Sequence, residues 1–328
     1  MRLPKMASCG ILLLCLCIAP AFADSPPSPL FMFGTLGSGP GQFDHPYGIA
    51  IGADGFVYVT DETNDRVEKF KKDGTLVTLW AMPPSYNGET NSPTGIAISP
   101  DGRIYVVEHH IHRISIFSSA GAFLGSLGGL PDSIPGPHFN YPVGIAFDAA
   151  GNFYVCDSEA HRVQKFDATN SFVMAWGIHG SSPGQFIRPY GIEVDALGNV
   201  YVGEYGGSRV QKFTGSGIYL AGWGAAGVAD GQFNAAEGIV ADNTGNLYVC
   251  DTGNNRIQKF TDGGAFLTKW GTLGGGLGQL YTPSDIALDP STGNLYVVEW
   301  NNARVQVFGA GPTATHHTTW GRIKGTYR

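Results

Sequence analysis

Between Pro46 and Phe308 the chain alternates apolar runs of four to six residues, rich in Val, Ile, Tyr and Phe, with clusters of Gly, Asp and Asn, and nowhere shows a helical period. Short runs bounded by turn formers predict strands. The pattern also recurs as a whole. Six copies of one cassette follow each other, opening at Gly48, Gly95, Gly144, Gly191 and Gly238, with Asp285 in the glycine's place in the sixth, at intervals of 47, 49, 47, 47 and 47 residues. A repeat of that length marks one supersecondary unit multiplied along the chain.

Each copy predicts four strands, in the first at about residues 48–51, 56–60, 66–70 and 76–80. Tight turns such as Asp54-Gly55 and Asp73-Gly74 join them, as short hairpins prefer. Four-stranded antiparallel meanders of this kind build propeller blades, and ring closure protects their edges. The expectation is an all-β, six-bladed β-propeller occupying residues 24–310 as a single domain. The last copy runs out of outer-strand sequence after Phe308, whereas Pro29 to Gly34 (PLFMFG) matches the outer strands of other copies. This N-terminal segment is expected to close the sixth blade, with Thr318 to Gly321 as the rival.

Residues 1–23 change the picture of compartment. Arg2 and Lys5 precede the apolar stretch ILLLCLCIAPAFA, and Ala21-Phe22-Ala23 fits a small-residue cleavage site, the pattern of a secretory signal peptide. The run is shorter than the roughly 20 apolar residues a membrane span needs. A secreted, periplasmic or cell-surface location after cleavage near Ala23 follows, with residues 311–328 as a C-terminal tail. Losing Arg2 and Lys5 takes two of the 20 basic side chains and none of the 27 acidic ones, so the net charge moves from −7 to −9. That balance argues against a nucleic-acid partner. Of the five cysteines only Cys156 and Cys250 remain. They fill one slot in different copies, too far apart for a disulfide if the copies are separate sheets.

Each copy sets a carboxylate five residues before an arginine: Asp61 and Arg66, Glu108 and Arg113, Asp157 and Arg162, Glu204 and Arg209, Asp251 and Arg256, Glu299 and Arg304. The carboxylate ends the second strand and the arginine begins the third, so each pair is expected to close its own blade through charge-assisted hydrogen bonds. Strand direction puts this loop on the same rim as the loop leading into the next blade, where Gln42, His138, Gln185, Gln232 and Gln279 are equivalent.

Two positions per copy should border the central channel at that rim. One precedes the opening glycine (Tyr47, Thr94, Val143, Tyr190, Glu237, Ser284), and the other follows the carboxylate (Glu62, His109, Ser158, Tyr205, Thr252, Trp300). Tyr47, Tyr190, Tyr205 and Trp300 beside His109 and Glu237 suit a small organic or peptide ligand. In the second copy, His109, His110 and His112 fall within four residues and offer a zinc or calcium site as an alternative. No nucleophile elbow, phosphate cradle or zinc-type cysteine cluster stands out.

The succession GQF-x-x-P-x-GIA-x-D, G-N-x-YV-x-D, N-x-R-V/I-Q-K-F and W-G, clear over Gly184 to Gly224 and Gly231 to Gly271, resembles the NHL repeat family, and in particular its secreted bacterial members. The resemblance covers about residues 31–308 and implies a propeller that serves as an interaction platform. The function it implies is binding of a protein, peptide or glycan ligand by a monomer without a resident cofactor. The alternative implied by the same family is a metal-dependent lyase similar to peptidyl-hydroxyglycine amidating lyase, drawing histidines from several blades, here His45, His109, His138, His161 and His179.

Overall fold

The computed structural model describes residues 24–85, 91–129 and 138–309. The proposed leader, the tail with the rival segment 318–321, and parts of the loops leading into the second and third blades lie outside the described residues. Strand β1 (Ser28–Phe33) precedes blade 1, made of β2 (Pro46–Ile51), β3 (Phe56–Asp61), β4 (Arg66–Lys71) and β5 (Leu76–Ala81). Blades 2 to 5 follow as β6–β9 (93–128), β10–β13 (142–176), β14–β17 (189–223) and β18–β21 (236–270). Blade 6 consists of β22 (Pro283–Leu288), β23 (Leu295–Glu299) and β24 (Arg304–Gly309), with β1 as its fourth strand. All six sheets are four-stranded and antiparallel. The innermost strands contact their neighbours in sequence, and β2 meets β22, so the ring is closed.

Closure works because β1 reproduces an ordinary outer strand. In blades 1, 3 and 4 a tryptophan at or one residue before the end of the outer strand lies against the hairpin glycine of the following blade: Trp80 on Gly121, Trp176 on Gly217, Trp223 on Gly264. Phe33 of β1 lies on Gly74 of blade 1 in the same manner. Those glycines have φ between 77° and 86°, a left-handed conformation, and a Cβ there would strike the ring. Phe31 and Phe33 also pack on the cluster formed by blades 6 and 1, with Phe33 4.9 Å from Phe70.

The hydrophobic core is divided among six clusters, each lying between adjacent blades rather than within one. Between blades 1 and 2, for example, Tyr58 and Val67 meet Ile96, Ile104, Val106 and Phe117. Stability in this ring therefore comes from neighbour contacts. Cys156 and Cys250 are buried free thiols belonging to two different clusters.

The inner strands begin two residues earlier than the opening glycine suggests, at a residue that pairs with the carboxylate ending the second strand, as Pro46 does with Asp61. The register then shifts before Ile49, leaving Tyr47 and Gly48 in a bulge. Bulges of this type re-aim side chains. The glycine is required by close approach. A Cβ at Gly48, Gly95, Gly144 or Gly191 would collide with the carbonyl of Thr94, Val143, Tyr190 or Glu237 in the next blade. Asp285 escapes because blade 6 carries a shorter irregularity, with Asp285 itself paired to Val298.

Candidate functional site

The six carboxylate–arginine pairs form, each with the arginine Nε donating to the carboxylate at 2.5–2.9 Å. All six carboxylates are buried. The guanidinium also holds the lead-in loop: Arg256 donates to the carbonyls of Val228, Ala229 and Gln232, and Arg304 to those of Gly275, Gly276 and Gln279. Two residues beyond the arginine, the Nε2 of Gln164, Gln211, Gln258 or Gln306 donates to the same carboxylate and to a loop carbonyl. The loop glutamines Gln42, Gln185, Gln232 and Gln279 accept a backbone N–H three residues upstream. His138 instead lends its carbonyl to Arg162 and Gln164. These side chains are thus occupied in fixing one rim.

At the centre of that rim the channel widens into a cavity of about 270 Å³. Tyr47, His109, Tyr190, Tyr205, Glu237 and Trp300, the six residues singled out in the sequence, all line it. Glu62, Thr94, Val143 and Ser284 join them from the two mouth positions, as does Thr282, which the cassette gave no reason to choose. Ser158 and Thr252 do not. Both are buried, and the Thr252 hydroxyl donates to the Pro283 carbonyl.

The wall is braced across blades. Tyr47 donates its hydroxyl to Glu237 Oε2 at 2.8 Å, and Trp300 Nε1 donates to Glu62 Oε2 at 2.9 Å. The Tyr190 and Tyr205 rings stack with centroids 4.7 Å apart, and the His45 ring lies 3.9 Å from the Trp300 ring.

The NHL repeat matches the chain at residues 90–117, 139–166, 233–260 and 280–308, that is, in blades 2, 3, 5 and 6. The chain carries NHL repeats. It is 42% identical over 50 residues to the protein lin-41 of Caenorhabditis elegans, a stretch that makes up 15% of this chain and 4% of that relative's length. Among solved structures it is similar to a virginiamycin B lyase from Staphylococcus aureus, with a TM-score of 0.59 and 16% identity, covering 85% of this chain and 94% of the lyase. A gluconolactonase from Xanthomonas campestris gives 0.62 at 15% identity, covering 89% and 99%. A protein of unknown function from Bacteroides thetaiotaomicron gives 0.64 at 19%, covering 89% and 75%. At such identities the likeness is one of fold.

The histidines of the NHL propeller separate into distinct roles. His109 lines the mouth, and its Nδ1 donates to the Pro142 carbonyl at 3.0 Å. Burial, more than the neighbouring histidines, pushes its pKa down to about 4, so the ring is neutral at physiological pH. His110 is exposed and its Nδ1 meets Ser92 Oγ at 2.8 Å, while His112 Nδ1 donates to the Phe139 carbonyl. The three rings gather round Tyr141 but engage separate partners. His45 lies beside Trp300, and His161 beside His179 at 4.5 Å. Among the described residues no group of three His, Cys, Asp or Glu side chains lies close enough to hold a metal ion.

The cassette conceals a second set of rim residues. The residue before each inner strand (His45, Ser92, Tyr141, Arg188, Ala235, Thr282) has φ between 47° and 65°, as does the residue before each arginine (Asp65, His112, His161, Ser208, Asn255, Ala303). Left-handed backbone at twelve non-glycine positions is unusual, and residues before proline are normally extended. In three places the two sets clasp adjacent blades: the N–H of Ser92, Arg188 and Thr282 donates to Asp65 Oδ1, His161 Nδ1 and Asn255 Oδ1. The only sequence signal is the Asp, Asn and His content of the pre-arginine slot, the residue types that tolerate this conformation best.

Below the mouth the channel narrows and then opens at the opposite end into a space of about 250 Å³. Asp285 lines both levels, with Oδ2 accepting the Ile49 N–H and Oδ1 that of Ile286, and Glu193 lines the far opening. Removal from water raises the pKa of Glu237 and Glu193 to about 8 and that of Asp285 to about 7. On the far rim itself, Tyr58, Tyr154, Tyr201 and Tyr248 donate to the turn aspartates Asp54, Asp148, Asp195 and Asp242.

Proposed function

We propose that this NHL propeller is a secreted binding module, which captures a protein, peptide or glycan ligand at the mouth bordered by the loops between second and third strands. The observation that supports this reading most strongly is the mouth cavity. It departs from sixfold symmetry, joins aromatic rings from blades 1, 4 and 6, and is braced by hydrogen bonds that span blades. The scaffold demands every blade shares are met by the carboxylate–arginine pairs beneath, which leaves the mouth positions free to differ. The leader pattern of residues 1–23, basic at its start and then apolar, supports the extracellular part of the proposal.

Catalysis by a metal-dependent lyase is the competing reading, and the dispersed histidine contacts give it less support. The test is capture from the medium and envelope of producing cells by immobilised protein, with bound material quantified by mass spectrometry. Trp300→Ala and Tyr190→Ala should each reduce specific capture at least tenfold while the thermal midpoint stays nearly constant. Undiminished capture by both variants removes the mouth from consideration.

A further inference from the structure

The mouth also indicates what kind of group enters it, given that it is the binding site proposed above. Its aromatic surface comes from Tyr47, Tyr190, Tyr205 and Trp300, and its acidic side chains are Glu62 and Glu237, of which burial holds Glu237 largely protonated near neutral pH and leaves Glu62 to supply the charge. Among the described residues no lysine or arginine lines it, and the basic residue that does, His109, is held neutral by burial. Arg188, whose charge is felt at Tyr190, is tied to Glu159 at 2.6 Å.

We infer that the group seated in this mouth is an organic cation, an alkylammonium borne either by a lysyl side chain or by a quaternary headgroup. Ring faces attract ammonium groups electrostatically at centroid distances up to about 6 Å, and the attraction grows when water is displaced. A cavity of about 270 Å³ accommodates such a head with room to spare. Electrostatics separate the cation from its rivals. An anion would meet Glu62 with no countercharge among the described lining residues. A neutral ligand covering the mouth would strip water from the Glu62 carboxylate, which has only the Trp300 N–H to compensate it among the contacts described, and such desolvation is costly. A cation restores the lost solvation and stacks on the rings. Glu237 is the less exposed carboxyl, held by the Tyr47 hydroxyl, so Glu62 provides the countercharge at the open side.

Two pairs of charged and uncharged probes, the first matched in shape, test this by isothermal titration calorimetry on the full-length protein. The first pair is choline and uncharged 3,3-dimethylbutan-1-ol. The second is Nα-acetyl-lysine methylamide and its Nε-acetylated, uncharged form. At least one cation should bind at least tenfold more tightly than its uncharged partner, and whichever cation binds better identifies the headgroup or the lysyl source. Glu62→Gln, which keeps an acceptor for Trp300, should bring that preference to within about threefold, and Glu193→Gln at the far opening should leave it intact. Equal or tighter binding of the uncharged partners overturns the inference, as does failure of both cations to bind at 50 mM, or a preference that survives Glu62→Gln. None of these outcomes touches the mouth reading if capture still depends on Trp300 and Tyr190.

Discussion

At the scale of single residues, the same motif has unequal energetic weight in different blades. Removing one member of a buried ion pair strands the other's charge and costs about 3–5 kcal/mol, whereas exposed pairs are worth about 0–1 kcal/mol. The Arg256 side chain is 8% exposed and makes three loop contacts besides its bond to Asp251, while that of Arg162 is 36% exposed. Arg256→Ala should therefore lower unfolding free energy by about 3–5 kcal/mol and Arg162→Ala by clearly less, since water can reach Asp157 in its place. Urea denaturation of the two variants checks the ordering, and equal losses would show that the loop contacts add nothing. The pairing itself was legible in the sequence because it recurs six times at one spacing. The left-handed residues were not, because a positive φ before proline runs against local preference and is imposed by the clasp between blades.

At the scale of elements, the closing strand is the point where a linear repeat becomes a ring. Its likeness to the other outer strands was readable in PLFMFG, since Phe33-Gly34 stands where other copies have Trp-Gly. What the sequence could not convey was how Phe33 is used, with its ring on Gly74 and against Phe70. The starts of the inner strands were read late for a similar reason. The bulge after Pro46 hides pairing that resumes on its other side. A fully buried phenylalanine costs about 3–5 kcal/mol on truncation, and Phe33 is only partly buried, so Phe33→Ala should cost about 1–3 kcal/mol. Leu124→Ser, at an exposed outer-strand position of blade 2, should stay within about 0.5 kcal/mol. Thermal unfolding compares them, and an indifferent Phe33→Ala would mean that the ring does not rely on β1.

For the whole molecule, a division of labour between two ends organises the fold and the site. One rim fixes its loops through six carboxylate–arginine pairs and places two variable positions per blade around the axis, which is why six mouth residues could be chosen from sequence alone. Ser158 and Thr252 fell away because they are buried beside the channel rather than facing it, a distinction that repeat position does not encode. The other rim closes on itself through tyrosine–aspartate bonds, and below it the channel holds Glu193 and Asp285. The two ends differ in their chemistry, so the end that receives the ligand is the decisive property of the molecule. Amide hydrogen exchange of the full-length protein, with and without saturating captured ligand, decides this directly. Protection should concentrate in residues 44–48, 61–65, 188–191, 204–208 and 299–303, all at the aromatic mouth. Protection centred instead on the far-rim turns at residues 52–55, 71–75, 99–102 and 148–151 would contradict it.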